Sequence, residues 1–212
     1  MATDYRRTPY DKECPDFKEN KKRLEKIIKK DHPRAVDLHR QVSAKDGSYK
    51  LAFIEAYDGR CAYCGASIRF IHKNQFEIDH YIPYTDRSRF ESKKDAGYMD
   101  NLVLSCYDCN RSKHDYRIPD NYLNMLHPDN KEIKDIFQRS PDYYIRVNED
   151  YNSDSEILNF YNKLDLGAEM HRLDYLLLNM IGIRDANKDD DRLSKLESII
   201  QMLTEKRNIG LK

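Results

Sequence analysis

Apolar positions along this chain change their spacing twice, and each change predicts a different kind of element. Over residues 17–30 the apolar set Phe17, Leu24, Ile27 and Ile28 falls at helical intervals among lysines, predicting an amphipathic helix that stops before His32-Pro33. Pro33 suits the first turn of a second helix running to about Val42 on Ala35, Val36, Leu38 and Val42. Residues 48–57 read as a third, with Leu51, Phe53, Ile54 and Tyr57 inward and Gly59 as its C-terminal cap. From residue 60 the helical spacing gives way to short runs. Residues 68–71, 75–80 and 102–105 read as strands, and 108–115 as a helix. Residues 81–100 form a 20-residue, charge-rich connection, a length that in compact domains usually marks function. After Pro119 the helical pattern returns. It predicts a turn over 122–126, helices over 131–139, 153–164, 168–183 and 189–207, and a strand-like alternation over 141–147.

This order predicts an α+β fold in which a mainly helical chain surrounds a small strand-containing core. The expected regions are a helical 1–58, a chemical core 59–118 and a helical 119–212. The chain is 39% hydrophobic and 35% charged, and no apolar run nears the ~18 residues of a membrane span, which excludes a transmembrane role. The first residues lack the apolar stretch of a secretory signal, so the expected location is cytoplasmic. The net charge is zero, yet residues 1–118 carry +5 and residues 119–212 carry −5. Such polarity suits a nucleic acid on one side and a basic partner on the other, although ordinary solvated surface gives the same numbers. The lysines of the first helix are open to the same two readings.

Cysteine placement narrows the chemistry. Cys61 and Cys64 form one C-x-x-C pair and Cys106 and Cys109 another, with 41 residues between them; Cys14 stands alone as a thiol with no metal role. Four soft thiolates on two turns suit tetrahedral zinc, and a site closed by four thiolates has no position left for catalysis. The zinc is therefore structural. It clamps residues 61–64 against 106–109, and Gly65 supplies the left-handed backbone that such a turn needs.

Asp79-His80 ends the strand-like run Phe76-Glu-Ile-Asp-His. Neighbours on a strand point to opposite faces, so the two divide their roles: Asp79 is a hard oxygen ligand for a divalent ion, and His80 faces a water. Alone, the pair reads rather as an ordinary turn with a packed histidine. Asn110 changes the balance, because it follows a cysteine ligand directly, opens the next helix and offers an amide oxygen as a second ligand. His114 lies one helical turn on and is a candidate third ligand or phosphate contact. Arg111 and Lys113 are candidate contacts to the phosphate beside the cut. Asn101 is placed to hydrogen-bond the backbone of the long connection and so hold His80.

Taken together, Cys-x-Tyr-Cys-Gly, Ile-Asp-His-x-Ile-Pro and Asn-Leu-x-Leu-x-Cys-x-x-Cys-Asn-x-x-Lys resemble the HNH endonucleases with a ββα-metal finger, over about a quarter of the chain. The resemblance implies a zinc-stapled ββα-metal core, with His80 as general base, Asp79 and Asn110 on the catalytic metal and Asn101 orienting the site. It also implies hydrolysis of phosphodiester bonds, most simply in DNA, with Mg²⁺, Mn²⁺ or another divalent ion and 5′-phosphate products. The C-terminal stretch more loosely resembles the helical tails of HNH nucleases in Septu-like and retron-associated anti-phage defence systems. That implies an effector working with an ATPase partner subunit. The rival reading is a zinc-stabilised nucleic-acid-binding or scaffold subunit of an ATPase complex that has lost the chemistry; the intact Asp79, His80 and Asn110 weigh against it.

Overall fold

The computed structural model describes residues 4–11, 14–44, 47–187 and 193–209. Helix α1 (Phe17–Asp31) opens on Asp16, whose carboxylate accepts the Glu19 N–H, and closes with Lys29 and Lys30 in its last turn, so both ends suit the helix dipole. Helix α2 (Leu38–Val42) is shorter than its apolar spacing predicts. Pro33 does not open it: Asp37 caps it by accepting the Arg40 N–H at 3.1 Å, and the Leu38 N–H bonds Gly97 O at 2.8 Å. Helix α3 (Ser48–Ala56) follows, and Gly59, at φ +64°, sends its N–H back to Ile54 O.

Strands β1 (Phe76–His80) and β2 (Leu102–Cys106) pair antiparallel with Phe76 opposite Cys106 and His80 opposite Leu102. Helix α4 (Tyr107–Lys113) begins on the next residue. Residues 68–71 are not a strand. Their chain folds back so that the Phe70 and Ile71 N–H groups bond Ser67 O at 3.3 and 3.0 Å, which leaves neither for a ladder. Further on, α5 (Ile133–Ile136) is one turn that passes straight into β3 (Phe137–Arg139), paired with β4 (Ile145–Val147). The helix predicted over 131–139 is thus cut short, because the cross-strand bonds Ser140 N–H to Tyr144 O and Asn148 N–H to Ile136 O take the backbone. Tertiary pairing overrides local spacing here. Helices α6 (Ser155–Lys163), α7 (Glu169–Ala186) and α8 (Leu193–Ile209) complete the α+β fold. Residues 189–192 of the last predicted helix lie outside the described residues. Among the described residues no helix is long and apolar enough to cross a membrane.

One apolar cluster runs from Tyr5 through the strands to Leu166. Its N-terminal part has no regular structure, yet Tyr5 is buried and donates its hydroxyl to Tyr63 O at 2.7 Å. Arg6 donates to Ala62 O and Pro128 O, both at 2.7 Å. Gly65 sits at φ +83°, where a Cβ would come within 2.6 Å of Arg6 O, so this approach requires glycine on both counts. Arg139 closes the arrangement from the C-terminal side by donating to Tyr5 O at 2.9 Å and to Cys64 O at 3.3 Å.

One lysine of α1 points inward. Lys21 pairs with Asp129 at 2.6 Å, each side chain 1% exposed, and donates to Leu102 O at the head of β2. Tyr57 donates to the other Asp129 oxygen at 2.8 Å. Because a buried ammonium stripped of its partner costs more than the pair contributes, Asp129→Ala should destabilise the protein by about 3–5 kcal/mol, read as a lower urea midpoint at constant slope. A shift below about 1 kcal/mol would mean that water reaches Lys21.

Candidate active site

The zinc knuckles come together first. Ala62 N–H bonds Leu104 O at 2.8 Å, laying the first cysteine turn against β2, whose last residue is Cys106. The Sγ atoms of Cys61, Cys64, Cys106 and Cys109 all lie within 4.8 Å of one another, buried and not disulfide-linked. Cys64 and Cys106 are 3.7 Å apart. A tetrahedral zinc with ~2.3 Å bonds to sulfur requires edges of about 3.8 Å, so the four donors fit that ion. His171 on α7 brings Nε2 to 3.8 Å from Cys109 Sγ, the position of an outer donor to a metal-bound thiolate.

A cleft of about 350 Å³ opens beside β1 and α4, with Asp79, His80, Asn110, Arg111 and His114 in its walls together with His39, Tyr84 and Lys93. Strand alternation puts Glu77 and Asp79 on one face of β1 and His80 on the other. Asp79 accepts the Tyr63 hydroxyl at 2.7 Å and faces the Lys113 ammonium at 3.0 Å. Burial pushes its carboxyl above the usual range, and Lys113 and Tyr63 only partly offset this. Lys113 also donates to His80 O at 2.8 Å, and its side chain has no exposure. This corrects the expectation that Lys113 contacts a phosphate: its ammonium is used up beneath the site, holding Asp79 and the His80 backbone.

Asn110 donates its amide N–H to Glu77, which turns the amide oxygen away from that bond. Asp79 and Asn110 line the same cleft, and Lys113 lies 3.1 and 3.0 Å from the two Asp79 oxygens, so a Mg²⁺-like ion would share that carboxylate with the ammonium. Asn101 is buried; it accepts the Ile82 N–H at 2.8 Å and donates to Ile82 O and Ala96 O, tying together both ends of the long connection. His114 falls where α4 ends, at φ +51°, and its side chain is 77% exposed with Nδ1 on Asp115. Arg111 is also exposed, over the Tyr107 ring at 5.0 Å and within 3.4 Å of Glu77.

His80 is buried among rings. Its ring stacks on His39 with centroids 4.3 Å apart and meets the edge of Tyr84 at 5.6 Å. Nε2 is buried with no hydrogen-bond partner. Burial first, then the positive fields of His39, Lys93 and Lys113, push its pKa down to about 3, so the imidazole is neutral at physiological pH.

A cysteine turn, an antiparallel pair whose first strand ends in Asp-His, and a second cysteine turn that opens a helix occur in that order over residues 61–116, and this span matches the family model for HNH endonuclease. It is an HNH endonuclease domain. The match covers about a quarter of the chain; no curated protein and no solved structure matched it. Residues 61–116 are thus similar to a family of nucleases that act on nucleic acid and use divalent metals.

Four residues at the HNH site escape sequence reasoning. Glu77 was open to it, since a strand residue two positions before Asp79 must share its face. This second carboxylate holds Asn110. Tyr63, inside the first knuckle, reaches Asp79 only because the knuckle folds onto β1. Tyr84 and His39 carry no local signal; the long connection and α2 deliver them.

Proposed function

We propose that this chain is a DNA endonuclease in which His80 is the general base, Asp79 and Asn110 hold one catalytic divalent ion, and Asn101 positions the loop behind His80. The observation that carries the proposal is a cleft lined together by His80, Asp79 and Asn110; burial holds the His80 imidazole neutral there. A neutral ring accepts a proton from water without first losing one, and a protonated His80 would then be a buried cation beside Lys113, ready to pass the proton on. Arg111, exposed at the rim beside Glu77, is suited to a phosphate oxygen flanking the cut. A bound Mg²⁺ or Mn²⁺ would supply charge stabilisation for the pentacoordinate phosphorus and the leaving 3′-oxygen. Lys113 and Tyr63 keep Asp79 in one orientation throughout.

The test is plasmid nicking by zinc-loaded protein freed of other metals by dialysis. Added Mg²⁺ or Mn²⁺ should convert supercoiled DNA to nicked or linear forms, and single-stranded DNA and RNA of the same sequence serve as comparisons. Cleavage that ignores added metal, or none on any of the three substrates, would overturn the reading.

A partner-dependent role for residues 119–212 is a second proposal, favoured by the exposed Ile199, Met202 and Ile209 on α8. An ATPase subunit bound there, in a cytoplasmic anti-phage complex, accords with the tail's resemblance to such nucleases. Isolation of the complex and assay of its nuclease activity with and without ATP tests it.

A further inference from the structure

His39 lies outside the segment that matches the HNH model, yet its ring touches the residue read above as the base. Helix α2 buries Leu38 and Val42 and meets the long connection at Gly97. The Leu38 N–H bonds Gly97 O at the end of the long connection, and Gly97 has no Cβ, which would run into the Asp37 carboxylate that caps α2. The next residue, His39, is therefore delivered to β1, where Nε2 lies 3.1 Å from Ile78 O. A carbonyl only accepts, so Nε2 carries the proton and the His39 ring is fixed in one tautomer and one plane. That plane lies 28° from the His80 ring at 4.3 Å, with Tyr84 against His80 at a steep angle. His80 has no hydrogen bond at its buried Nε2 to set its rotation. Most catalytic imidazoles are oriented by such a bond; among the described residues, the rings of His39 and Tyr84 flank His80 instead.

We infer that His39 is a positioning residue for this nuclease: stacked between α2 and β1, it holds the His80 imidazole in its working rotamer, so the segment before the HNH domain completes the site. The inference rests on His80 being the base. It separates from the possibility that His39 contacts substrate, because positioning acts on turnover and needs a ring, whereas substrate contact acts on KM and needs a polar atom.

The experiment compares His39→Ala, His39→Phe and His39→Gln in the full, zinc-loaded chain. His39→Ala should lower kcat about 10- to 100-fold, the cost of a misaligned group, with KM within about twofold of wild type. His39→Phe, which keeps a ring but no donor, should recover most of that loss; His39→Gln should not. An unchanged kcat in His39→Ala overturns the inference. So does a raised KM with kcat intact, or rescue by Gln rather than Phe. Should the alanine variant fail to fold, the Phe-to-Gln comparison decides alone. NMR of histidine-labelled protein gives a readout free of activity. The His80 ring resonance should shift and broaden in His39→Ala and stay sharp in His39→Phe, and an unmoved resonance overturns the inference. If wild type cleaves nothing but the resonance behaves as described, the nuclease proposal fails and the stacking role stands.

Discussion

His80→Ala protein should keep its zinc and its fold while cleaving about 10²- to 10⁴-fold more slowly, the range for a lost general base. Two features of the site refine that range. The imidazole is pushed down to about 3, which makes it a weak base and places the loss toward the lower end. The ring also fills the space between His39 and Tyr84, so alanine leaves a gap that those side chains can enter. His80→Asn, closer in size and still polar, controls for that collapse and should be as slow as the alanine variant. Single-turnover cleavage with saturating Mg²⁺, alongside zinc content and melting temperature, is the measurement. A fully active His80→Ala protein would falsify the assignment of the base.

The second large effect concerns the knuckles. Cys61→Ser or Cys109→Ser should cost both zinc and folding, because a four-thiolate site forms only in the folded chain and its binding free energy, on the order of 10 kcal/mol, is folding free energy. Typical domain stabilities are about 5–15 kcal/mol, so losing even part of that leaves the chain marginal or unfolded. Cys109→Ser should also release the His171 ring, whose Nε2 faces that sulfur at 3.8 Å. Zinc content by elemental analysis and unfolding by circular dichroism should fall together, whereas Cys14→Ser, at an exposed thiol, should change neither. A zinc-free Cys109→Ser protein with the wild-type melting temperature would show that the metal does not hold the fold.

The parts legible in the sequence share one property: their signals are local or carried by a motif. β1, β2 and α4 follow from alternation and from the cysteine that precedes the helix. The gathering of the four thiols follows from pairing like with like. What escaped depends on partners remote in sequence. Helical spacing over 131–139 carried no hint that Ile136 and Arg139 would be taken by the hairpin at 145–147. Nor did the run of lysines in α1 mark Lys21 as the one paired inside with Asp129. Lys113 is the most instructive case. As a basic residue on the helix beside the site it reads as a phosphate contact, but its position on α4 turns it beneath β1, where its ammonium stabilises the carboxylate of Asp79. A charge's role depends on which side of its helix faces the strand, and that face is set by packing.

The clasp of Arg6 and Arg139 on the first knuckle bears on how the chain is made. Cys61 and Cys64 leave the ribosome long before Cys106 and Cys109, and a two-thiolate turn holds zinc weakly. Even after the fourth ligand has emerged, Arg6 still lacks Pro128 O, and the backbone at Tyr5 and Cys64 still waits for Arg139. Contacts of such long sequence separation form slowly. The earliest point at which the knuckle can lock is therefore well past the end of the HNH segment, and a fragment trimmed to residues 61–116 would lack every one of these clasps. The first knuckle is therefore completed only after Arg139 has emerged, about 30 residues past the last cysteine.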